Sequence, residues 1–213
     1  MGLGKPQRKD LKAYSLKIKT KDLPKPEFVV SERQGDKFVE LLDREYSVSG
    51  NLIGVEPKET KITSGQHAGK TIKSVNVTLT DGDQIFFVTV PWSNLGRGLM
   101  NSLLSLKAFN DVEIGLYQTK PKTDGGKTYP ATSLRQAGEI VRWRFTQEEL
   151  PKPEEIIFKG EKMRNFEEQE KFLAAQLVEL NKIIKATAPV KPNEKVADAA
   201  VPAPEDVKDD VPF

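Results

Sequence analysis

Apolar and polar residues alternate through most of residues 46–145, and turn signals cut the alternation into short runs. Val75, Val77 and Leu79 alternate with Ser74, Asn76, Thr78 and Thr80. Asp81, Gly82 and Asp83 follow, and the chain returns with Phe86, Val88 and Val90 on one face and Ile85, Phe87 and Thr89 on the other. Alternation on both sides of an Asp-Gly turn predicts a β-hairpin, because glycine reaches positive φ without steric cost. An earlier strand over residues 46–55 carries Gly50 and Gly54, and glycines inside a strand mark bulges or sharp bends. After Pro91 the period changes. Leu95, Leu99, Leu103 and Leu106, with Met100, follow helical spacing, with Ser93 or Asn94 as N-cap. Alternation resumes with Val112, Ile114 and Leu116 against Glu113, Gly115 and Tyr117, and residues 123–126 turn the chain. A last extended run carries Tyr129, Leu134, Ile140, Val141, Trp143 and Phe145.

Three strands, a helix and two strands predict a mainly β domain over residues 44–146. Among small closed all-β designs, that order fits the five-stranded OB-fold barrel. The flanks read differently. Residues 1–43 form a basic N-terminal extension with Lys5, Arg8, Lys9, Lys12, Lys17, Lys19 and Lys21, interrupted by Pro24 and Pro26. Its first part reads as a mobile arm that either adds phosphate contacts or only solubilises. Residues 28–30 are expected as an added edge strand and residues 38–42 as a short helical turn. Residues 147–186 comprise a proline linker (Pro151, Pro153) and a C-terminal helix over 161–185. Its seam of Phe166, Leu173, Leu177, Leu180 and Ile184 is broken at Glu170 and widened by Phe172, Val178 and Ile183. An amphipathic helix packed on the barrel is the first expectation, and self-association into a homo-oligomer the second. Residues 187–213, rich in Ala, Pro, Val, Lys and Glu, cannot bury enough surface to order themselves and read as a disordered acidic tail.

Composition narrows the chemistry. The 213 residues contain no cysteine and one histidine, His67, which leaves no disulfide framework, thiolate metal site or all-histidine site. No cofactor is implied. No run of 18 apolar residues spans a membrane, and no apolar signal region opens the chain, so an intracellular, cytoplasmic protein is expected. The net charge of +2 is unevenly spread, with a mildly basic central domain and an acidic tail, which suits a nucleic-acid binder. Gly65, Gly69 and Lys70 approach a phosphate-binding loop, but three residues separate the glycines where four are required, and a β-run follows where a helix is needed. That segment reads as a hairpin tip. No nucleophile–base pair and no metal-ligand cluster is apparent. Asp81, Asp83 and Asp111 are scattered acids, and turn chemistry accounts for the first two. A non-enzymatic protein is expected.

Single-strand binding requires cations along a groove and aromatic faces for unpaired bases. Lys61, Lys70 and Lys73 on the first long hairpin, Phe87 and Trp92 on the third strand, and Tyr117, Lys120, Lys122, Lys127 and Tyr129 around the second long hairpin supply both. Arg135, Arg142, Trp143 and Arg144 add to them on the last strand, where Arg142 and Arg144 point away from the core if the aromatics point in. Each aromatic has plain core packing as its alternative.

The chain ends in an acidic run closed by Asp209, Asp210, Val211, Pro212 and Phe213. This ending resembles the C-terminal tip of bacterial and bacteriophage single-stranded DNA-binding proteins, an acidic run followed by Asp-Ile-Pro-Phe, with Val211 in place of isoleucine. The order of OB-like core, linker and tip also matches. The resemblance implies binding of single-stranded DNA in a bacterial or phage-infected cell. It also implies recruitment of replication, recombination and repair proteins through residues 209–213, with the terminal Phe and carboxylate entering a basic, apolar pocket. The basic lead-in and the helix over 161–185 depart from the short bacterial form. Two other readings remain: an RNA-binding OB module, and an adaptor whose barrel binds protein.

Overall fold

A computed structural model describes residues 11–20, 25–63, 68–120, 128–158 and 161–187. Strands β1 (Lys12–Lys19), β2 (Glu27–Gln34) and β3 (Lys37–Glu45) precede β4 (Ser47–Lys61), β5 (Thr71–Asp81) and β6 (Gln84–Pro91). Helix α1 (Asn94–Leu103) leads to β7 (Val112–Thr119), β8 (Tyr129–Gln136) and β9 (Glu139–Ile140). A small hairpin, β10 (Glu154–Phe158) and β11 (Glu161–Asn165), precedes helix α2 (Glu167–Thr187). The first nine strands form one sheet in the order β3-β2-β1-β6-β5-β4-β7-β8-β9. Among the described residues, no helix is long and apolar enough to cross a membrane.

The mainly β expectation holds, and the strand–helix order of β4 to β8 is the one the alternation predicts. Closure is where the structure departs from it. The sheet is not closed into a barrel, and no described pairing joins β6 to β8. The free edge of β6 is taken by β1, which runs parallel to it with Leu16 beside Val88. Tyr14, Leu16 and Ile18 give β1 an apolar face, and Leu16 is buried between Val88 and Val30 of β2. The expected mobile arm is therefore in part an inner strand. Residues 28–30 do form strand, but inside the sheet, because β3 pairs outside β2. Residues 38–42 lie in β3 and not in a helical turn. Gly35, at φ +64, makes the β2–β3 turn possible.

β4 joins the two halves of the sheet. Ser47 to Gly50 pairs with β7, and Asn51 to Lys61 pairs with β5. The change of partner falls at Gly50, where a Cβ atom would stand 2.7 Å from the Thr80 carbonyl oxygen. A Gly50→Ala variant must displace backbone and is expected to lose about 1–3 kcal/mol, read as a lower denaturant midpoint with unchanged slope. Beyond this point Val75, Val77 and Leu79 of β5 lie opposite Val90, Val88 and Phe86 of β6, and the buried valines and Leu79 form the centre of the core. The Ser93 hydroxyl caps α1 by accepting from the Leu95 N–H (3.2 Å), and Leu95, Leu99, Met100 and Leu103 are buried against the sheet.

The C-terminal third differs from expectation in two places. The extended run from Tyr129 stops at Gln136, because Ala137 (φ 49) and Gly138 (φ 79) turn the chain back into the short β9. Residues 161–165, expected as helix, pair as β11 with β10, Met163 lying opposite Ile156. α2 then starts at Glu167, whose N–H donates to Asn165 Oδ1 (3.0 Å).

α2 packs along β4 and α1, burying Leu173, Leu177, Leu180 and Ile184. The seam is covered by its own chain and is closed to a second helix. Glu170, which interrupts the seam, pairs with Arg97 at 3.1 Å, and the Arg97 guanidinium lies 3.9 Å from the Phe166 ring centre. On the edge of β4 that β7 leaves bare, the Val55 N–H donates to Asn181 Oδ1 (3.0 Å). Asn181 Nδ2 (3.1 Å) and Lys185 Nζ (2.8 Å) both donate to Glu56 Oε1. The hydrogen bond from Lys185, with the Asn181 bond and the lysine charge, holds the Glu56 carboxyl below its ordinary pKa against the opposing effect of burial. A carboxyl depressed by folding stabilises the fold above its unfolded pKa, and this contribution is lost as pH falls through the folded value. A Glu56→Gln variant is therefore expected to show a flatter acid limb in denaturant midpoint against pH.

Candidate nucleic-acid interface

After β9, residues 141–146 form no strand, yet backbone bonds tie them at both ends. The Val141 N–H donates to the Leu134 carbonyl (2.8 Å) and the Arg144 N–H to the Asn101 carbonyl (3.1 Å). Asn101 itself, 1% exposed in the middle of α1, makes a two-way bridge to Phe145. Its Oδ1 accepts from the Phe145 N–H (2.9 Å), and its Nδ2 donates to the Phe145 carbonyl (2.8 Å). The Phe145 ring meets Phe172 of α2 edge-on at 5.1 Å.

This strap turns Arg142, Trp143 and Arg144 outward together. Trp143 is 54% exposed and both arginines are exposed. The alternation expected for a strand here, with arginines out and Trp143 and Phe145 in, does not apply, because the segment is not pleated; only Phe145 turns inward. The Trp143 ring lies beside Gly98 of α1, near the Thr132 hydroxyl of β8. Neither arginine makes a salt bridge with a described carboxylate, although Arg144 adds to the field on Glu149. The carboxyl of Glu149 sits below its ordinary pKa chiefly through the Thr146 backbone N–H and hydroxyl. The result is a half-exposed indole set between two exposed arginines in the chain, on a segment fixed by buried hydrogen bonds.

A second group lies on the face of β7 and β8 turned from the core. Tyr117 is exposed opposite Ala131, and Tyr129, half-buried, lies opposite Thr119, so the two rings are diagonal neighbours. Arg135 is exposed on the same face, opposite Glu113. Lys120 is exposed at the end of β7, and Lys122 and Lys127 lie outside the described residues.

The remaining residues stand apart from these. Phe87 is half-buried on β6, between Thr78 of β5 and Ser15 of β1. The Lys73 ammonium lies 5.3 Å from the Trp92 ring centre and within 4 Å of carboxylates of Glu59 (3.7 Å) and Glu167 (3.8 Å). Trp92 is half-buried, and its buried indole N–H has no partner among the described residues. Lys73 and Trp92 thus join the sheet to the start of α2, with the ammonium covering the ring. Lys61 is exposed opposite Thr71, Lys70 is exposed at the hairpin end, and His67 lies outside the described residues, as do Asp209, Asp210, Val211, Pro212 and Phe213.

One polar cleft of about 240 Å³ is lined by Ser49, Gly50, Asn51, Thr80, Asp81, Asn110 and Asp111. It joins two of the three scattered acids, but among the described residues no cluster of three or more His, Cys, Asp or Glu could hold a metal ion. Its carboxylates oppose phosphate. Asn101 was not among the residues singled out from the sequence. Its signal there is a polar side chain at a position set among Leu99, Met100 and Leu103.

Compared with known proteins, the chain matches no family model, and no curated protein or solved structure is significantly similar to it.

Proposed function

We propose that this chain binds single-stranded DNA without strong sequence preference, as a non-enzymatic protein that coats exposed strands and recruits partners through its acidic C-terminus. The clamped, exposed Arg142-Trp143-Arg144 strap carries the proposal. An indole face stacks on any base, and the flanking guanidiniums neutralise adjacent phosphates. The Tyr117–Tyr129 pair with Arg135 supplies a second stretch of the same chemistry. β4 to β8 with α1 also follow the strand order of an OB-fold, apart from the closing pair, and that fold binds single strands across its sheet. The tip Asp209, Asp210, Val211, Pro212 and Phe213 is assigned to replication, recombination and repair proteins on its resemblance alone, an acidic run with one aromatic anchor.

The test is a tryptophan-fluorescence titration with a thymidine oligonucleotide, with duplex DNA and single-stranded RNA as competitors. Trp92 is half-covered by Lys73, so quenching is expected to report Trp143 and to vanish in Trp143→Phe. Binding is expected to weaken steeply with salt. An Arg142→Gln/Arg144→Gln variant should lower the slope of log K against log salt by about 1.4, two phosphates at roughly 0.7 each. Oligonucleotide affinity no greater than that for duplex rules the proposal out. Preference for RNA moves it to the RNA-binding reading, and absence of any nucleic-acid affinity moves it to the protein-binding adaptor.

A further inference from the structure

The β10–β11 hairpin stands outside the nine-stranded sheet, and among the described residues its strands pair with each other alone. A lone two-stranded hairpin is marginal in water, and this one exposes apolar side chains on both faces. Ile157 is 77% exposed on one face, and Ile156 and Met163 are more than a third exposed on the other. No described strand pairs with either outer edge, and such edges invite another strand. The register sets Glu155 opposite Arg164, Ile156 opposite Met163 and Ile157 opposite Lys162. The two strands also differ in charge: Glu154 and Glu155 on β10, Lys162 and Arg164 on β11, apart from Glu161 at the turn.

We propose that the surface of this hairpin is filled by a second copy of the chain, whose β10 adds beside β11 in the register used within the hairpin. Repetition of that register continues each row across copies. Glu155 and Arg164 alternate along one row, and Ile156 and Met163 form an unbroken apolar row beneath. Pairing of like edges lacks this fit. Two β11 strands centred on Met163 set Lys162 against Arg164 of the other copy. Two β10 strands centred on Ile156 set Glu155 against Ile157 of the other copy, with four glutamates and no base between them. Acidic edge against basic edge is a heterologous contact: it leaves one edge of each kind free, and association continues copy by copy or closes into a ring. The apolar seam of α2 takes no part, being buried in its own chain.

Sedimentation velocity of the full chain over a wide concentration range, without nucleic acid, tests this independently of DNA binding. The wild type is expected to grow beyond a dimer as concentration rises. Ile157→Ser, at a side chain already in solvent, should weaken association roughly tenfold with an unchanged thermal midpoint. Glu154→Lys/Glu155→Lys and Lys162→Glu/Arg164→Glu should each stay monomeric alone, and an equimolar mixture should associate again. A wild type that stays monomeric or stops at a dimer overturns the proposal. So does association that the Ile157 variant leaves unchanged, or a mixture of the charge-reversed chains that stays monomeric.

Discussion

Replacement of Trp143 by alanine is expected to weaken binding of a thymidine oligonucleotide by about 1–3 kcal/mol, roughly five- to 150-fold. The thermal midpoint should fall only slightly, because Trp143 is 54% exposed and its covered part rests on the surface of α1 at Gly98. Phenylalanine at the same position keeps an aromatic face and should retain most of the affinity while removing the fluorescence change. The two variants separate stacking from mere bulk. Alanine binding as tightly as the wild type would exclude Trp143 from the interface and leave Tyr117 with Tyr129, or Phe87, to supply the stacking surface. The measurement is an equilibrium mobility-shift or anisotropy titration at one fixed salt concentration, since phosphate contacts make affinities at different salt incomparable.

Asn101→Ala is expected to act through the fold and the interface together. It removes both hydrogen bonds to Phe145 and leaves that residue's N–H and carbonyl without partners beside the buried surface of α1. Stranded groups of this kind cost more than the bonds themselves are worth, so a loss of about 2–4 kcal/mol is expected, read as a lower denaturant midpoint. The second readout distinguishes positioning from general weakening. Amide exchange at Phe145 and Arg144 should accelerate far more than in the core strands β5 and β6, since local opening of the strap needs only these bonds to break. Oligonucleotide affinity should fall as the Arg142-Trp143-Arg144 side chains lose their common orientation. Uniform acceleration across the sheet, or unchanged exchange at Phe145, would show that Asn101 does not hold the strap.

The two variants bear on different links of the same chain of cause. Trp143 is a contact residue whose loss acts mainly on binding. Asn101 touches no ligand, and its influence on binding passes through backbone geometry. In the same way Glu170 and Asn181 hold α2 through a few polar bonds placed along an apolar seam. Arg97 and Glu170 are both largely covered, so loss of one partner leaves the other as an uncompensated charge in a poorly solvated place. The polar groups at these contacts fix where the helix sits, while the leucines supply most of the attraction.

Local pattern by itself determined the β5–β6 hairpin with Gly82 at its turn, the start of α1 at a cap of Ser93 or Asn94 with its buried face, and the buried leucines of α2. Each depends on a short-range rule, namely period, turn geometry or a cap, and each can be read within a dozen residues. It also picked out Tyr117, Tyr129, Arg142, Trp143 and Arg144 by residue type. What it could not decide is which strand fills an edge. Alternation says which face of a strand is buried, but every strand offers the same backbone groups to every neighbour, so pairing is a contest between distant segments. β1 won the edge of β6, and the barrel stayed open. Its apolar face was legible in Tyr14, Leu16 and Ile18, yet the lysines around it gave the segment the composition of a solvated arm. The period of residues 161–165 was likewise hidden in a helical composition, and pairing with β10 made them a strand. The strap is the plainest case. Arg142, Trp143 and Arg144 read as alternating residues of a strand, yet all three are exposed on a segment that Asn101 ties at Phe145, 44 positions along the chain. A buried amide that pairs with a backbone so far along the chain leaves no periodic trace, so the tertiary structure alone decided where the candidate interface faces.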